Sequence, residues 1–154
     1  MNKFCKGDTL IITRQTDRNT FGKIGKVIEI TDGDYYTLDC LPNNAFKENC
    51  LELASGADLI REERRRQQEA EGYDATHDRH HTPQVLCRAA VGYALHEDPS
   101  KLVSDAASNL WPWSKEFWKP KDHLRNLVRA GALIAAAIDR LQYEKNLGAL
   151  TPES

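Results

Sequence analysis

Hydrophobic and polar positions alternate in short runs over the first third of the chain, and the period then lengthens. The segments Asp8 to Arg14 (DTLIITR), Lys26 to Ile30 (KVIEI) and Tyr35 to Leu38 (YYTL) are rich in β-branched and aromatic residues. Gly22, Gly25 and the Asp32-Gly33-Asp34 turn separate them, and such runs between turn formers predict strands. A last strand is expected over Ala45 to Leu53, where Phe46 and the run Cys50-Leu51-Glu52-Leu53 would pair back with the first. Short strands at this spacing close into a small antiparallel barrel or a tight meander.

From Ser55 onward the apolar positions recur every three or four residues. Ser55 and Asp58 stand as a capping box, and the first helix is expected to run to Glu71 and stop at Gly72. Within it only Leu59, Ile60 and Ala70 are apolar among many Arg and Glu. Glu62 and Arg66 stand one turn apart and can pair. The helix reads either as a solvated connector or as a carrier of one inward arginine, Arg61, Arg64 or Arg65, that holds an anion.

A polar stretch, Gly72 to Thr82, leads to a second helix over about Pro83 to His96. Thr82 is its cap, proline its first residue, and Leu86, Ala89, Ala90 and Tyr93 its buried face. Asp98-Pro99 is expected to start a third helix burying Leu102, Val103, Ala106 and Leu110. Asp122 caps a long last helix to about Asn146, ending near Gly148. Leu124, Leu127, Val128, Ile134, Ile138 and Leu141 form its apolar stripe, widened by Ala130, Leu133 and Ala137. Gly131 in mid-helix, which costs about 1 kcal/mol against alanine, implies close packing or ligand access there. The fold class is therefore α+β: an N-terminal small antiparallel β-barrel over residues 1–54, a helical bundle of about four helices over 55–149, and a flexible tail over 150–154.

Composition adds mainly exclusions. In 154 residues, 40% are hydrophobic and 29% charged, values of an ordinary folded protein. No apolar run approaches the roughly 18 to 20 residues that span a bilayer. The N-terminus MNKFCKGDTL lacks an apolar signal core, so no membrane partner and a cytoplasmic location are expected. Net charge is −2; residues 1–54 hold seven Lys or Arg against eight Asp or Glu, leaving fourteen against fifteen. Neither part has the positive excess that duplex binding usually needs. Cys5, Cys40, Cys50 and Cys87 include no C-x-x-C pair, so buried free thiols are expected rather than zinc or disulfides.

Two constellations carry candidate chemistry. The first is Glu69, Glu71, His77, Asp78, His80 and His81. Imidazole and carboxylate together suit a divalent metal, with Glu71, His77, Asp78 and His81 as its ligands, or acid–base work near neutral pH. In a loop between helices, the same side chains also serve to satisfy backbone groups. The second is the segment Trp111 to Lys121, which holds all three tryptophans, Trp111, Trp113 and Trp118, beside Lys115, Lys119 and Lys121. Indole faces stack a base while ammonium groups meet phosphate, or else the rings seal a core.

The run F-x-K-G-D, G-K-I-G-K-V-I-E-I, D-G-D-Y-Y-T-L and L-E-L resembles Src-homology-type and KOW-like small barrels, which bind peptides, nucleic acids or another domain. Glu71-Gly72-Tyr73, His77-Asp78, His81, W-P-W, F-W-K-P-K-D and L-V-R-A-G-A-L-I-A-A-A-I-D-R-L resemble, over about residues 61–142, a family of small phage and prophage proteins. Glu71, His77, Asp78, His81, Trp111, Trp113, Trp118, Lys119, Lys121, Asp122 and Arg125 match that family's pattern. Arg79 replaces a second acidic residue, which opposes a cation and favours an anion. The resemblance implies a phage accessory protein in the host cytoplasm. On this reading the helical part binds a small anionic ligand, a nucleotide or nucleotide-derived immune signal, without cofactor or turnover. Trp113 or Trp118 would stack it, and Lys119, Lys121, Arg125 and Arg79 would neutralise it. A metal-dependent all-α nucleotide pyrophosphohydrolase, with Glu69, Glu71, Asp78 and His81 around a divalent metal, is one alternative. A module that inhibits a host protein through its aromatic surface is another. The barrel would drive homo-oligomerisation or partner contact.

Overall fold

A computed structural model describes residues 3–14, 19–31 and 34–150, with the side chains of 147–150 excepted. Asp32 and Gly33 of the expected turn, and 151–154 of the expected tail, lie outside the described residues. The protein is α+β and divides into two compact units, Met1–Leu59 and Ile60–Ser154.

In the first unit, alternating apolar positions build five antiparallel strands: β1 (Thr9–Ile12), β2 (Ile24–Thr31), β3 (Tyr35–Leu38), β4 (Leu41–Lys47) and β5 (Leu51–Leu53). They form one open sheet of order β4-β3-β2-β1-β5. The expected last strand splits. Its first part, Ala45 to Lys47, ends β4; a 3-10 turn at Glu48–Cys50 follows; and Leu51–Leu53 pairs with β1. Pro42-Asn43-Asn44 reads as a turn, yet it lies in β4, an edge strand where proline's missing donor costs no ladder bond. Phe4, Leu10, Ile12, Val27, Tyr36, Leu38, Phe46 and Leu51 make a continuous core. Each such side chain contributes roughly 1.5–3 kcal/mol by burial. The thiols depart from expectation: all four are free, but Cys5 and Cys40, outside the strands, are exposed, and Cys50 in the 3-10 turn and Cys87 in α3 (Pro83–Ala94) are only partly covered.

The helices are α1 (Gly56–Ala70), α2 (Ala75–Asp78), α3 (Pro83–Ala94), α4 (Lys101–Asn109) and α5 (His123–Leu150). The capping box at the start of α1 forms: Ser55 Oγ accepts from the Asp58 amide at 3.2 Å, and Asp58 Oδ2 accepts from the Ser55 amide at 3.0 Å. Gly72 follows its end at φ +73°, which needs a residue without Cβ. The Glu62–Arg66 pair does not form. Glu62 pairs with Arg65, while Arg66 turns to Glu63 and Glu71. Neither does the helix lie wholly in solvent, since Glu63, Arg64 and Gln67 are buried.

Thr82 caps α3, and Leu86, Ala89, Ala90 and Tyr93 are buried as expected. The helix ends at Ala94, short of His96. The third helix starts at Lys101 rather than beside Pro99, and its buried residue is Ala107. Leu102, expected inside, is 81% exposed, and Leu110 and Ala106 are exposed too. The reason is close approach: a Cβ on Gly92 of α3 would stand 3.3 Å from the Ala107 carbonyl oxygen, so α4 presents its small residues inward.

The same principle rotates α5. Leu124, Leu127, Ile134, Ile138 and Leu141 are exposed, Ala130, Ala136 and Ala137 are buried in clusters with Leu86, Ala90 and Tyr93 of α3, and Val128 and Ala132 are buried as well. Gly131 does mark close packing: a Cβ there would meet Ile60 Cδ1 at 2.5 Å. The helix also continues through Gly148 to Leu150 instead of stopping. Among the described residues, no helix is long and apolar enough to cross a membrane.

Candidate functional site

The helical unit holds a cavity of about 590 Å³, within the usual size range for small-molecule sites. One wall is aromatic. Tyr73 stacks on His77 at 4.5 Å, His77 meets His81 at 5.2 Å, His81 meets Trp113 at 5.2 Å and Trp113 meets Trp111 at 4.9 Å, all between ring centroids. Trp111 then reaches Tyr93 edge-on at 5.5 Å. The short helix α2 and the indole-rich segment, more than thirty residues apart in the chain, thus meet edge to edge.

Local structure sets each part in place. Asp74 caps α2 by accepting from the amides of Thr76 and His77, which orients His77 and Asp78 on one turn; those bonds hold the Asp74 carboxyl below its ordinary range. Trp111 Nε1 donates to the Ser114 carbonyl at 3.2 Å. Asn126, fully buried in α5, accepts from the Lys121 amide and donates to the Lys121 carbonyl, both at 2.8 Å. Arg129 donates to the Lys119 carbonyl and lies over the Tyr93 ring at 5.5 Å. Together they pin the Lys119–Lys121 strand to α5 and aim Lys119 along the cavity.

The rest of the lining is largely charged. Arg64 donates to Asp78 and to the Tyr73 carbonyl, the latter at 3.0 Å, with both members of the ion pair almost fully buried. Glu63, with a side chain 1% exposed, takes Arg66 at 2.9 Å and Arg125 at 2.6 Å. Burial disfavours its charged form, but the hydrogen bond from Arg66 and the fields of Arg125, Arg66 and Arg129 outweigh this and hold the carboxyl below its ordinary value. Arg66 also reaches Glu71 at 2.9 Å. Burial, and next the charge of His77, push the His81 imidazolium below its usual range, so His81 is neutral at pH 7. Burial likewise raises the Tyr93 phenol.

Of the residues expected at a site, Glu71, His77, Asp78, His81, Trp111, Trp113 and Lys119 line this cavity. Four do not. Trp118 stacks behind Tyr93 at 4.8 Å. Arg79 turns away to cover the Tyr143 ring at 4.2 Å. Lys121 is exposed beside its pinned backbone, and Arg125 reaches Glu63 from outside the cavity. Arg64, one of the three arginines expected to turn inward, lines the wall but is paired with Asp78, and Glu63, Arg66, Gln67 and Arg129 are additional wall residues that the sequence did not place at a site. The clue available was that α1 carries Glu63, Arg64 and Gln67 at helical spacing on one face.

Among the described residues, no group of three His, Cys, Asp or Glu side chains is arranged to hold a metal ion. The chain matches no family model, no curated protein and no solved structure.

Proposed function

We propose that the helical unit binds a small anionic ligand with a flat ring, a nucleotide or a nucleotide-derived signal, without turning it over. One observation carries the reading: an unbroken aromatic arc from Tyr73 to Trp111 lines a single cavity together with Arg64, Arg66, Arg129 and Lys119. Aromatic faces accept any nucleobase by stacking, for roughly 1–3 kcal/mol per base, while guanidinium groups match phosphate geometry. Binding is favoured over metal-assisted hydrolysis because Asp78, a carboxylate needed as a ligand, is held in a buried pair by Arg64. Sequestration of such a signal is a use that suits the phage-like segment. For the N-terminal unit we infer a barrel of the Src-homology type that serves oligomerisation or partner contact. The strand order, in which the last strand returns to the first, and the sharing of β2 between its two halves support this.

Calorimetry of the full chain with a panel of nucleotides, with and without manganese, tests the reading. Saturable binding with unchanged nucleotide is the expected result. Manganese-dependent product formation would instead favour the pyrophosphohydrolase, and heat-silent titrations across the panel would refute ligand binding.

A further inference from the structure

Accepting the cavity as a nucleotide site, its charges specify which nucleotide. Arg64 and Asp78 cancel within the wall, and both are too deeply buried to be released cheaply. What remains in the lining is Arg66, Lys119 and Arg129 against Glu63 and Glu71. Three cations against two carboxylates leave a surplus of one positive charge, and of two once Glu71 swings into water. Arg129 spends its guanidinium on the Lys119 carbonyl and the Tyr93 face rather than on a carboxylate, and its field acts on Glu63 as that of Arg66 does, so Arg129 and the Lys119 backbone form one cationic end near Glu63.

Arg66 joins that end through a divided guanidinium. Its Nε and Nη2 are fixed to the buried Glu63, at 2.9 and 3.0 Å. Its Nη1 is held by Glu71 at 2.9 Å, and the Glu71 side chain is 37% exposed. An exposed pair of this kind is worth little, and its carboxylate can swing into water at small cost.

We infer that this end of the cavity takes the dianionic phosphate of a nucleoside monophosphate, and that Glu71 is a placeholder on Arg66 which the phosphate displaces. A phosphomonoester carries about −1.5 to −2 at pH 7 and three strong acceptor oxygens, which matches the surplus and supplies partners for Arg66 Nη1, Arg129 and Lys119. A triphosphate brings more negative charge than the wall can neutralise, and a nucleoside brings none. Glu71 therefore keeps Arg66 extended and paired while the site is empty, and competes with the ligand's phosphate for it.

The test is calorimetry on the full chain with adenosine and guanosine, their 5′-monophosphates and their 5′-triphosphates without magnesium, for the wild type and Glu71→Gln, with folding checked by circular dichroism. The expected result is monophosphates bound at least tenfold more tightly than nucleosides and more tightly than triphosphates. Glu71→Gln should strengthen monophosphate binding several-fold and shift nucleoside binding by less than that. Nucleosides binding as well as monophosphates, or Glu71→Gln weakening the monophosphate, would overturn this inference while leaving ring recognition intact. No binding by any of the six would overturn the nucleotide reading itself.

Discussion

The two units are held together by different materials. The sheet packs on a continuous apolar cluster in which Leu10, Ile12, Tyr36 and Leu38 are fully buried. The helical unit places alanines between α3 and α5, leaves the leucine-isoleucine stripe of α5 outside, and buries Glu63, Arg64, Asp78 and Asn126. An apolar core is tolerant of volume-conserving change, whereas a buried polar network is costly wherever a single member is lost. The unit that keeps charges inside at this cost is the one for which we propose a ligand.

That contrast is open to breaking. Asp78→Ala should be the most damaging substitution, costing about 3–5 kcal/mol in urea unfolding because it strands the buried Arg64; a change near zero would mean that the network carries no structural weight. In the sheet unit, Leu10→Ala should cost about 3 kcal/mol through the cavity it leaves. The face assignment of α5 is tested by a pair. Ala136→Leu should cost about 1–3 kcal/mol by overpacking against α3, and Ile138→Gln should stay within about 0.5 kcal/mol because Ile138 is exposed. The reverse order would place the aliphatic stripe inside.

The smallest effect concerns pH. The folded state lowers the imidazole pKa of His81, chiefly through burial. Its stabilising share is therefore complete above the ordinary histidine value near 6.5 and is lost as pH falls through the lowered folded value. Glu63, also lowered, behaves the same way in a more acid window, with its share complete above its ordinary value of 4.5 and lost below. Thermal midpoints measured from pH 7 downward should fall gently at first and then more steeply, and His81→Gln should flatten only the first part.

Much of the fold was legible because local chemistry and period agreed. The Ser55–Asp58 box, the Thr82 cap with its proline and the face of α3 each rest on contacts within one or two turns. The orientation of α5 was not legible, since its alanine face and its leucine-isoleucine stripe are both apolar and periodicity does not say which side meets a neighbour. Only Gly131 and the alanine runs hinted that bulk would be excluded. At the site, the histidine loop and the tryptophan segment stood out by composition, but their meeting at His81 and Trp113 is a tertiary fact. An inward arginine on α1 was one of two open readings, with Arg64 among three candidates, whereas the inward turn of Glu63 was hidden by the rule that mixed charge runs face water, which fails here because Asp78 and Arg125 arrive from other elements to pair with Arg64 and Glu63.

All three tryptophans lie on or directly behind the aromatic wall, so indole fluorescence reports on this cavity alone. Titrating the full chain with nucleoside monophosphates should produce a saturable change in tryptophan emission that disappears in a folded Trp113→Ala variant. Emission that stays constant to millimolar nucleotide, or a response that survives loss of Trp113 undiminished, would contradict a ring-binding cavity.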